Sequence, residues 1–214
     1  MRVALIEYGI GNVRSVENAL VRVGAEPEIV RDGDAMRASK APCVVMPGVG
    51  AVGEALVLLR ERGLEAALRQ EVISRGLPFL GICVGMQVMA ERCEEFGEHK
   101  GFGWIPGSVR RIEAEGQSLR VPHVGWNTIA LCGEGGFLAG LEGEHFYFVH
   151  SYWLDCPADY VIARTDYGRP ITAAVRRGQI MGVQFHPEKS SVAGAALLRG
   201  FLARVTALAA SAAA

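Results

Sequence analysis

Cys83, His186 and Glu188 are the residues whose types and surroundings suit covalent catalysis: a thiol nucleophile, an imidazole base and a carboxylate to orient that base. Cys83 lies in Gly81-Ile82-Cys83-Val84-Gly85, a Gly-x-Cys-x-Gly turn at the end of the apolar run Phe79 to Cys83. A nucleophile elbow needs this pattern, because a side chain projecting from a sharp strand-to-helix turn leaves no room for bulk on either side. A helix starting there favours thiolate over thiol, and its first amides, beginning with that of Val84, can donate to a developing oxyanion. A buried cysteine flanked by packing glycines would leave the same pattern, so the turn alone does not decide.

His186 and Glu188 stand two residues apart around Pro187. In an extended segment residues i and i+2 point to one side, so the carboxylate can reach the imidazole, and Pro187 keeps the segment from becoming helical. The carboxylate would fix the ring tautomer and stabilise the imidazolium formed when Cys83 loses its proton. Gln87, four residues after Cys83, falls on the same helix face and could hold an amide-bearing substrate. Pro47-Gly48-Val49-Gly50 follows another strand; its amides around Val49 and Gly50 are the best second wall of an oxyanion hole. Gly9-Ile10-Gly11-Asn12 lacks the third glycine of a dinucleotide fingerprint. His99 and His145 read as polar loop or turn residues, His123 and His150 as structural, and no pair has metal-ligand spacing. No cofactor or metal is therefore expected.

These residues must be carried on strands whose ends meet. The first half alternates strand and helix: strands at Val3 to Tyr8, Glu28 to Val30, Cys43 to Met46 and Phe79 to Cys83, a helix from Val13 to Val23, and another through Leu64 to Val72 that stops at Gly76. A further helix is expected from about Gly85 to Arg92. This alternation predicts parallel pairing with right-handed crossovers. The second half reads as short strands, Val109 to Glu113, Gly125 to Ala130, Phe146 to Leu154, Tyr160 to Thr165, Thr172 to Val175 and Met181 to Phe185, then a terminal helix with Val192, Ala195, Leu198, Phe201, Leu202 and Val205. The expected fold class is α/β, a single-domain mixed sheet with a mostly parallel core, an antiparallel extension and helices on both faces. The domain is expected to span 1–206, with the alanine-rich tail 207–214 frayed.

At 214 residues the chain can bury a substantial core, and its formal charge of −1 offers no electrostatic case for nucleic acid or a membrane surface. No apolar run near the bilayer-spanning length stands out, and Glu7 arrives too early for a signal-peptide core. The five cysteines, Cys43, Cys83, Cys93, Cys132 and Cys156, are odd in number and widely spaced, which argues against disulfides or structural zinc and for a cytoplasmic protein with reduced thiols. Cys43 is expected in the core; Cys93, Cys132 and Cys156 are expected to be inert.

With these parts assembled, the chain resembles the class I (triad) glutamine amidotransferases, flavodoxin-like proteins, over nearly its whole length. Gly11 to Val16, Pro47 to Gly50, Gly81 to Gln87, Val121 to Asn127, Tyr147 to Tyr152 and Gly182 to Ser190 carry the resemblance. Within that class, Pro122-His123-Val124-Gly125-Trp126-Asn127 and Val149-His150-Ser151-Tyr152 are similar to the glutaminase subunits of imidazole glycerol phosphate synthases, of histidine biosynthesis. The resemblance implies that Cys83 attacks the glutamine amide, His186 protonates departing ammonia and Glu188 holds His186. It implies substrate contacts at Gln87, Gly48, His150, Ser151 and Tyr152, and an oxyanion hole from Val49, Gly50 and Val84. It also implies a heterodimer with a (βα)8-barrel cyclase subunit, which receives the ammonia through a tunnel and faces Asn12, Trp126, Tyr147 and Lys189. In such pairs the loaded cyclase activates the glutaminase by repositioning the segment Gly48 to Gly50. Two departures are mild: Val84 stands where leucine is commoner, and Ala51-Val52 is less bulky than usual. The rivals are the glutaminase partner of a pyridoxal phosphate synthase, against which Trp126-Asn127 argues, a fused amidotransferase, a cysteine peptidase of this fold, and a non-enzymatic regulatory subunit.

Overall fold

The computed structural model of the chain describes residues 1–113 and 119–213. Four strands, β1 (Arg2–Ile6), β2 (Glu26–Val30), β3 (Val44–Gly48) and β4 (Phe79–Cys83), alternate with the helices α1 (Val13–Arg22), α2 (Gly33–Ala38), α3 (Val52–Glu61) and α4 (Leu64–Leu68). After β4 come the single-turn helix α5 (Val84–Gln87), β5 (Ala90–Cys93), β6 (His99–Lys100), β7 (Ile105–Arg111), β8 (His123–Thr128) and β9 (Ala130–Leu131). The chain ends with β10 (His145–His150), β11 (Tyr152–Asp155), β12 (Val161–Asp166), β13 (Pro170–Arg177), β14 (Ile180–Val183) and α6 (Ser191–Ala213).

The main sheet has eight strands in the order β2-β1-β3-β4-β14-β13-β12-β9, parallel from β2 to β14 and antiparallel beyond. Every residue of β3, β4 and β14 is buried, as a parallel strand covered on both faces requires, and this explains their unbroken apolar runs. The edge strand β2 carries Pro27 and two glutamates and is only partly buried. From β1 the chain moves outward to β2 and then back across to β3. With right-handed crossovers, α1 must therefore lie on one face and α2 to α4 on the other. The contacts agree: α1 touches α6, while α2 and α3 both touch α4. The strand order reverses between β1 and β3, so a crevice is expected at the carboxyl ends of these strands.

The mixed α/β sheet matches the expected fold class, but several segments differ from the sequence reading. The helix expected to reach Arg92 stops at Gln87. The returning chain takes the carbonyls that would continue it: Phe102 N–H donates to Val88 O at 2.8 Å and Trp104 N–H to Met89 O at 2.9 Å. The expected strand Phe146 to Leu154 breaks at Ser151, where it changes sheets: β10 pairs with β8 alone, and β11 joins β7, β5 and β6. The second half thus forms two small sheets as well as the extension, and the larger of them is mixed, with β5 parallel to β7. Helices α2 and α3 were not foreseen; Asp32 caps α2 by accepting from Ala35 N–H at 2.8 Å. The helix that includes Leu64 to Val72 continues from α4 into a π turn, Arg69–Ser74, and Gly76 follows at φ +73°.

The terminal helix runs to Ala213, so its described part passes through the stretch expected to fray; Ala214 lies outside the described residues. It corrects one expectation. Ser191–Ser211 has a mean hydropathy of 1.5 and is, by length and composition, long and apolar enough to cross a membrane. Here it buries Leu197, Leu198, Phe201 and Val205 in the core, and it carries Arg199 and Arg204.

Candidate active site

β4 delivers Cys83 into the turn, with φ 55° and ψ −111°, a conformation costly for a residue bearing a side chain. The glycines make the turn possible. A Cβ on Gly81 would collide with the carbonyl oxygen of Gly85, and one on Gly85 with the carbonyl oxygen of Met46 in β3. The strand therefore folds back over itself and against its neighbour at van der Waals contact.

β14 lies parallel to β4 with Gly182 opposite Gly81 and Val183 opposite Ile82, so the chain leaving β14 emerges beside Cys83. His186 is next in that exit, 2% exposed, its backbone N–H donating to Tyr147 O at 2.9 Å. Only His186 itself is extended; Pro187–Lys189 form a 3-10 turn. This turn, rather than the expected extended segment, swings Glu188 back to the ring. The Nδ1···Oε1 distance is 2.7 Å between side chains 3% and 1% exposed. Among the described residues, Nε2 is left without a hydrogen-bond partner in the pocket.

Burial alone would lower the His186 pKa, but Cys83 and Glu188 outweigh it and push the pKa up to about 10. Nε2 is thus near enough to feel Cys83 without meeting strict hydrogen-bond geometry, as is common in a site awaiting its substrate. Cys83 is 5% exposed, and its sulfur accepts from Gln184 Nε2 at 3.6 Å.

A cavity of about 150 Å³ opens over the sulfur, lined by Val49, Gly50, Cys83, Val84, Gln87, Glu95, Val149, His150, Ser151, Tyr152 and His186. It gathers nearly every expected site residue. Two stand outside the lining: Glu188, which contacts the Nδ1 of His186, and Gly48, which pairs with Cys83 across β3 and β4 and packs beside Tyr8 and Val84. Gln87 is buried, and both its amide hydrogens are taken, by Tyr152 O at 2.9 Å and Gln184 Oε1 at 3.1 Å. His150 is likewise engaged, Nδ1 with Tyr152 O at 2.8 Å and Nε2 with His123 Nδ1 at 3.0 Å. Burial keeps both rings neutral, pushing His150 down to about 3 and His123 to about 4.

Glu95 was missed by sequence reasoning. It stands in a loop among other glutamates, Glu94 and Glu98, and only the fold selects it, through the Val52 N–H that donates to its Oε2 at 2.8 Å. Val149 was also missed, because pocket-facing and core-facing positions of β10 cannot be told apart without the partner strand. His99, expected to be solvated, is half-buried and bonds Glu95 O through Nε2 at 3.0 Å. Cys43 and Cys93 are buried with pKa pushed up to about 12 by desolvation, and Cys156 to about 11.

Three of the expected partner-facing residues cluster. Trp126 and Tyr147 are paired across β8 and β10 with ring centroids 6.1 Å apart, and Lys189 Nζ sits 5.2 Å from the Tyr147 ring. Trp126 is 54% exposed, beside exposed Val124. Asn12 precedes α1, which touches the Pro187–Lys189 turn. Among the described residues no group of three or more His, Cys, Asp or Glu could hold a metal ion.

A strained cysteine, a buried imidazole and its carboxylate at the carboxyl-end edge of a parallel sheet define a thiol-dependent amidotransferase or hydrolase. The family model of class-I glutamine amidotransferases matches residues 4–205, and the chain belongs to that family. More particularly, it is 48% identical over 197 residues to the imidazole glycerol phosphate synthase subunit HisH of Herpetosiphon aurantiacus, covering 92% of this chain and 91% of that protein. It is 44% identical over 203 residues to the imidazole glycerol phosphate synthase subunit HisH 2 of Vibrio vulnificus, with 94% of each covered. Among solved structures, a glutamine amidotransferase superposes with a TM-score of 0.75 at 25% identity, over 95% of this chain and 98% of that one.

Proposed function

We propose that this protein is the glutaminase subunit of an imidazole glycerol phosphate synthase, with residues 1–206 as its amidotransferase unit, acting in the cytoplasm. The observation that carries the reading is the Cys83, His186 and Glu188 arrangement beneath one pocket, in a chain so similar to the HisH subunits along its length.

Cys83 sulfur, as thiolate, adds to the carboxamide carbon of glutamine. The resulting oxyanion is met by amides of the Val49-Gly50 segment and of Val84, which line the same pocket. The imidazolium of His186 gives its Nε2 proton to the departing nitrogen, the C–N bond breaks, and ammonia leaves a glutamyl thioester. His186 then takes a proton from water as the water attacks, the C–S bond breaks, and glutamate is released with the thiolate and imidazolium restored. Glu188 holds the ring and balances its charge through Nδ1. The Glu95 carboxylate in the lining suits the α-ammonium of the substrate. Gln87 and His150, whose side-chain donors are already engaged, shape the wall against the substrate, and Ser151 and Tyr152 complete it.

The ammonia passes to a (βα)8-barrel cyclase subunit seated over Trp126, Tyr147, Lys189 and Asn12. The aromatic pair of Trp126 and Tyr147 beside exposed Val124 suits an interface core, with Lys189 at its polar rim. The test is glutamate release from glutamine, by this protein alone and with purified cyclase plus its nucleotide ligand. Strong activation by the loaded cyclase is expected; equal activity in both conditions would move the glutaminase to another pathway, and none in either would overturn the reading.

A further inference from the structure

We propose that Gln184 is a fourth catalytic residue of this site: its side-chain N–H donates to the Cys83 sulfur and stabilises the thiolate that attacks the substrate. The inference rests on the reading of Cys83 as nucleophile. Gln184 is 0% exposed and follows β14, where its backbone N–H donates to Ala173 O at 2.8 Å. Its side chain touches two polar partners, the Cys83 sulfur at 3.6 Å and the Gln87 amide at 3.1 Å.

Which end of the Gln184 amide faces the sulfur is settled by its neighbours. Tyr152 O can only accept, so the group that Gln87 places 2.9 Å from it must be Nε2. The second hydrogen of that nitrogen points to Gln184, which must answer with Oε1. Gln184 Nε2 is thereby turned to Cys83. Flipping either amide would set donor against donor or acceptor against acceptor in a buried site. The anchor is itself held, since Tyr152 O also accepts from His150 Nδ1–H. The His150 Nε2 accepts from His123 Nδ1–H, and His123 Nε2 accepts from Asn127 Nδ2. Asn127 is fixed in turn, giving Nδ2–H to Asp166 O at 2.8 Å and receiving Thr128 N–H on Oδ1 at 2.8 Å. Donors thus converge on Tyr152 O from Asn127 of β8 through the two histidines and from Gln87, which also donates onward to Gln184 and so orients the bond to the sulfur.

A donor aimed at sulfur favours the anion over the thiol. The test compares Gln184→Met, which keeps volume and removes the donor, with Gln184→Glu, which keeps the bond from Gln87 and sets an acceptor against the sulfur. Iodoacetamide alkylation is followed across pH on the full chain, with Cys83 resolved from the other cysteines by peptide mapping. The expected result at neutral pH is a roughly tenfold slower Cys83 reaction in Gln184→Met, with the pH midpoint about one unit higher, and a larger loss in Gln184→Glu. A wild-type rate and midpoint in Gln184→Met overturns the proposal whatever Gln184→Glu does, since the latter alone would report an added charge. If Gln184→Met does not fold, the Gln184 side-chain amide resonance of the intact chain decides. It should move as Cys83 ionises and stay still in Cys83→Ala; no movement in the intact chain overturns the proposal. Glutamate release by Cys83→Ala would instead refute the nucleophile assignment, separately from any role of Gln184.

Discussion

Replacing Glu188 with glutamine removes one charge from the site and almost nothing else. The carboxylate lies 2.7 Å from His186 Nδ1, and neither side chain is more than 3% exposed, so no water can take its place. A hydrogen bond to a charged group is worth about 1.5–3 kcal/mol, and a tenfold rate change corresponds to about 1.4 kcal/mol. The glutamine carbonyl can still accept from Nδ1–H, which preserves the tautomer; the loss is then the charge that stabilises the imidazolium. The expected result is a fall in kcat of about 10- to 150-fold with KM nearly unchanged, because the ring does not bind the substrate in its ground state. The assay is cyclase-activated glutamate release, with the His186 ring titrated by NMR in parallel. The ring pKa, about 10 in the native chain, should fall toward the ordinary 6.5. The sign for stability follows: a raised histidine pKa stabilises the fold fully below pH 6.5, and that contribution is lost as pH rises through about 10. Glu188→Gln should flatten the alkaline decline in thermal stability. A kcat within twofold of the parent, with an unmoved ring pKa, would refute the assignment of Glu188.

Cys83→Ala should abolish glutamine use by the complex while synthesis from added ammonia survives; loss of both would show damage to the complex rather than to the chemistry. Tyr8 is 1% exposed with a hydroxyl that has no hydrogen-bond partner among the described residues, and burial first, then Cys83 and Glu54, raise its pKa. Tyr8→Phe removes that unsatisfied group, so thermal unfolding should show stability unchanged or raised by up to about 1 kcal/mol; a drop beyond that would reveal a hidden partner. His123 and His150 are held neutral, with pKa pushed to about 4 and about 3. Their share of stability is present above pH 6.5 and lost as pH falls toward 4. Thermal unfolding against pH should decline over that window, and His150→Gln should shallow the slope; an unchanged slope would count against the buried pair.

The parallel half of the fold was legible because β3, β4 and β14 are buried on both faces and write that burial as continuous apolar runs. The helix after Cys83 was overextended for a reason outside local sequence: Val88 and Met89 look helical, yet their carbonyls are taken by Phe102 and Trp104 from the returning chain. The break at Ser151 was hidden in the same way, since β10 and β11 are both aromatic and apolar and only their different partner strands separate them. Helix α6 reads as apolar nearly throughout, and what it packs against, not its composition, makes it a core helix.

Local chemistry in the chain was enough to single out the proposed nucleophile, base and orienting carboxylate. Gly81 and Gly85 can serve few purposes other than a crowded turn, and a histidine two residues from a glutamate across a proline has a short reach. Tertiary structure decided what surrounds them. Gln184 lies 101 residues from Cys83, and only the parallel pairing of β14 with β4 brings its amide to the sulfur. Glu95 was chosen from several nearby glutamates by one backbone N–H of Val52. A side chain's identity is local, but the direction of a hydrogen bond in a buried network depends on every partner down the line, and those partners come from strands that the sequence keeps far apart.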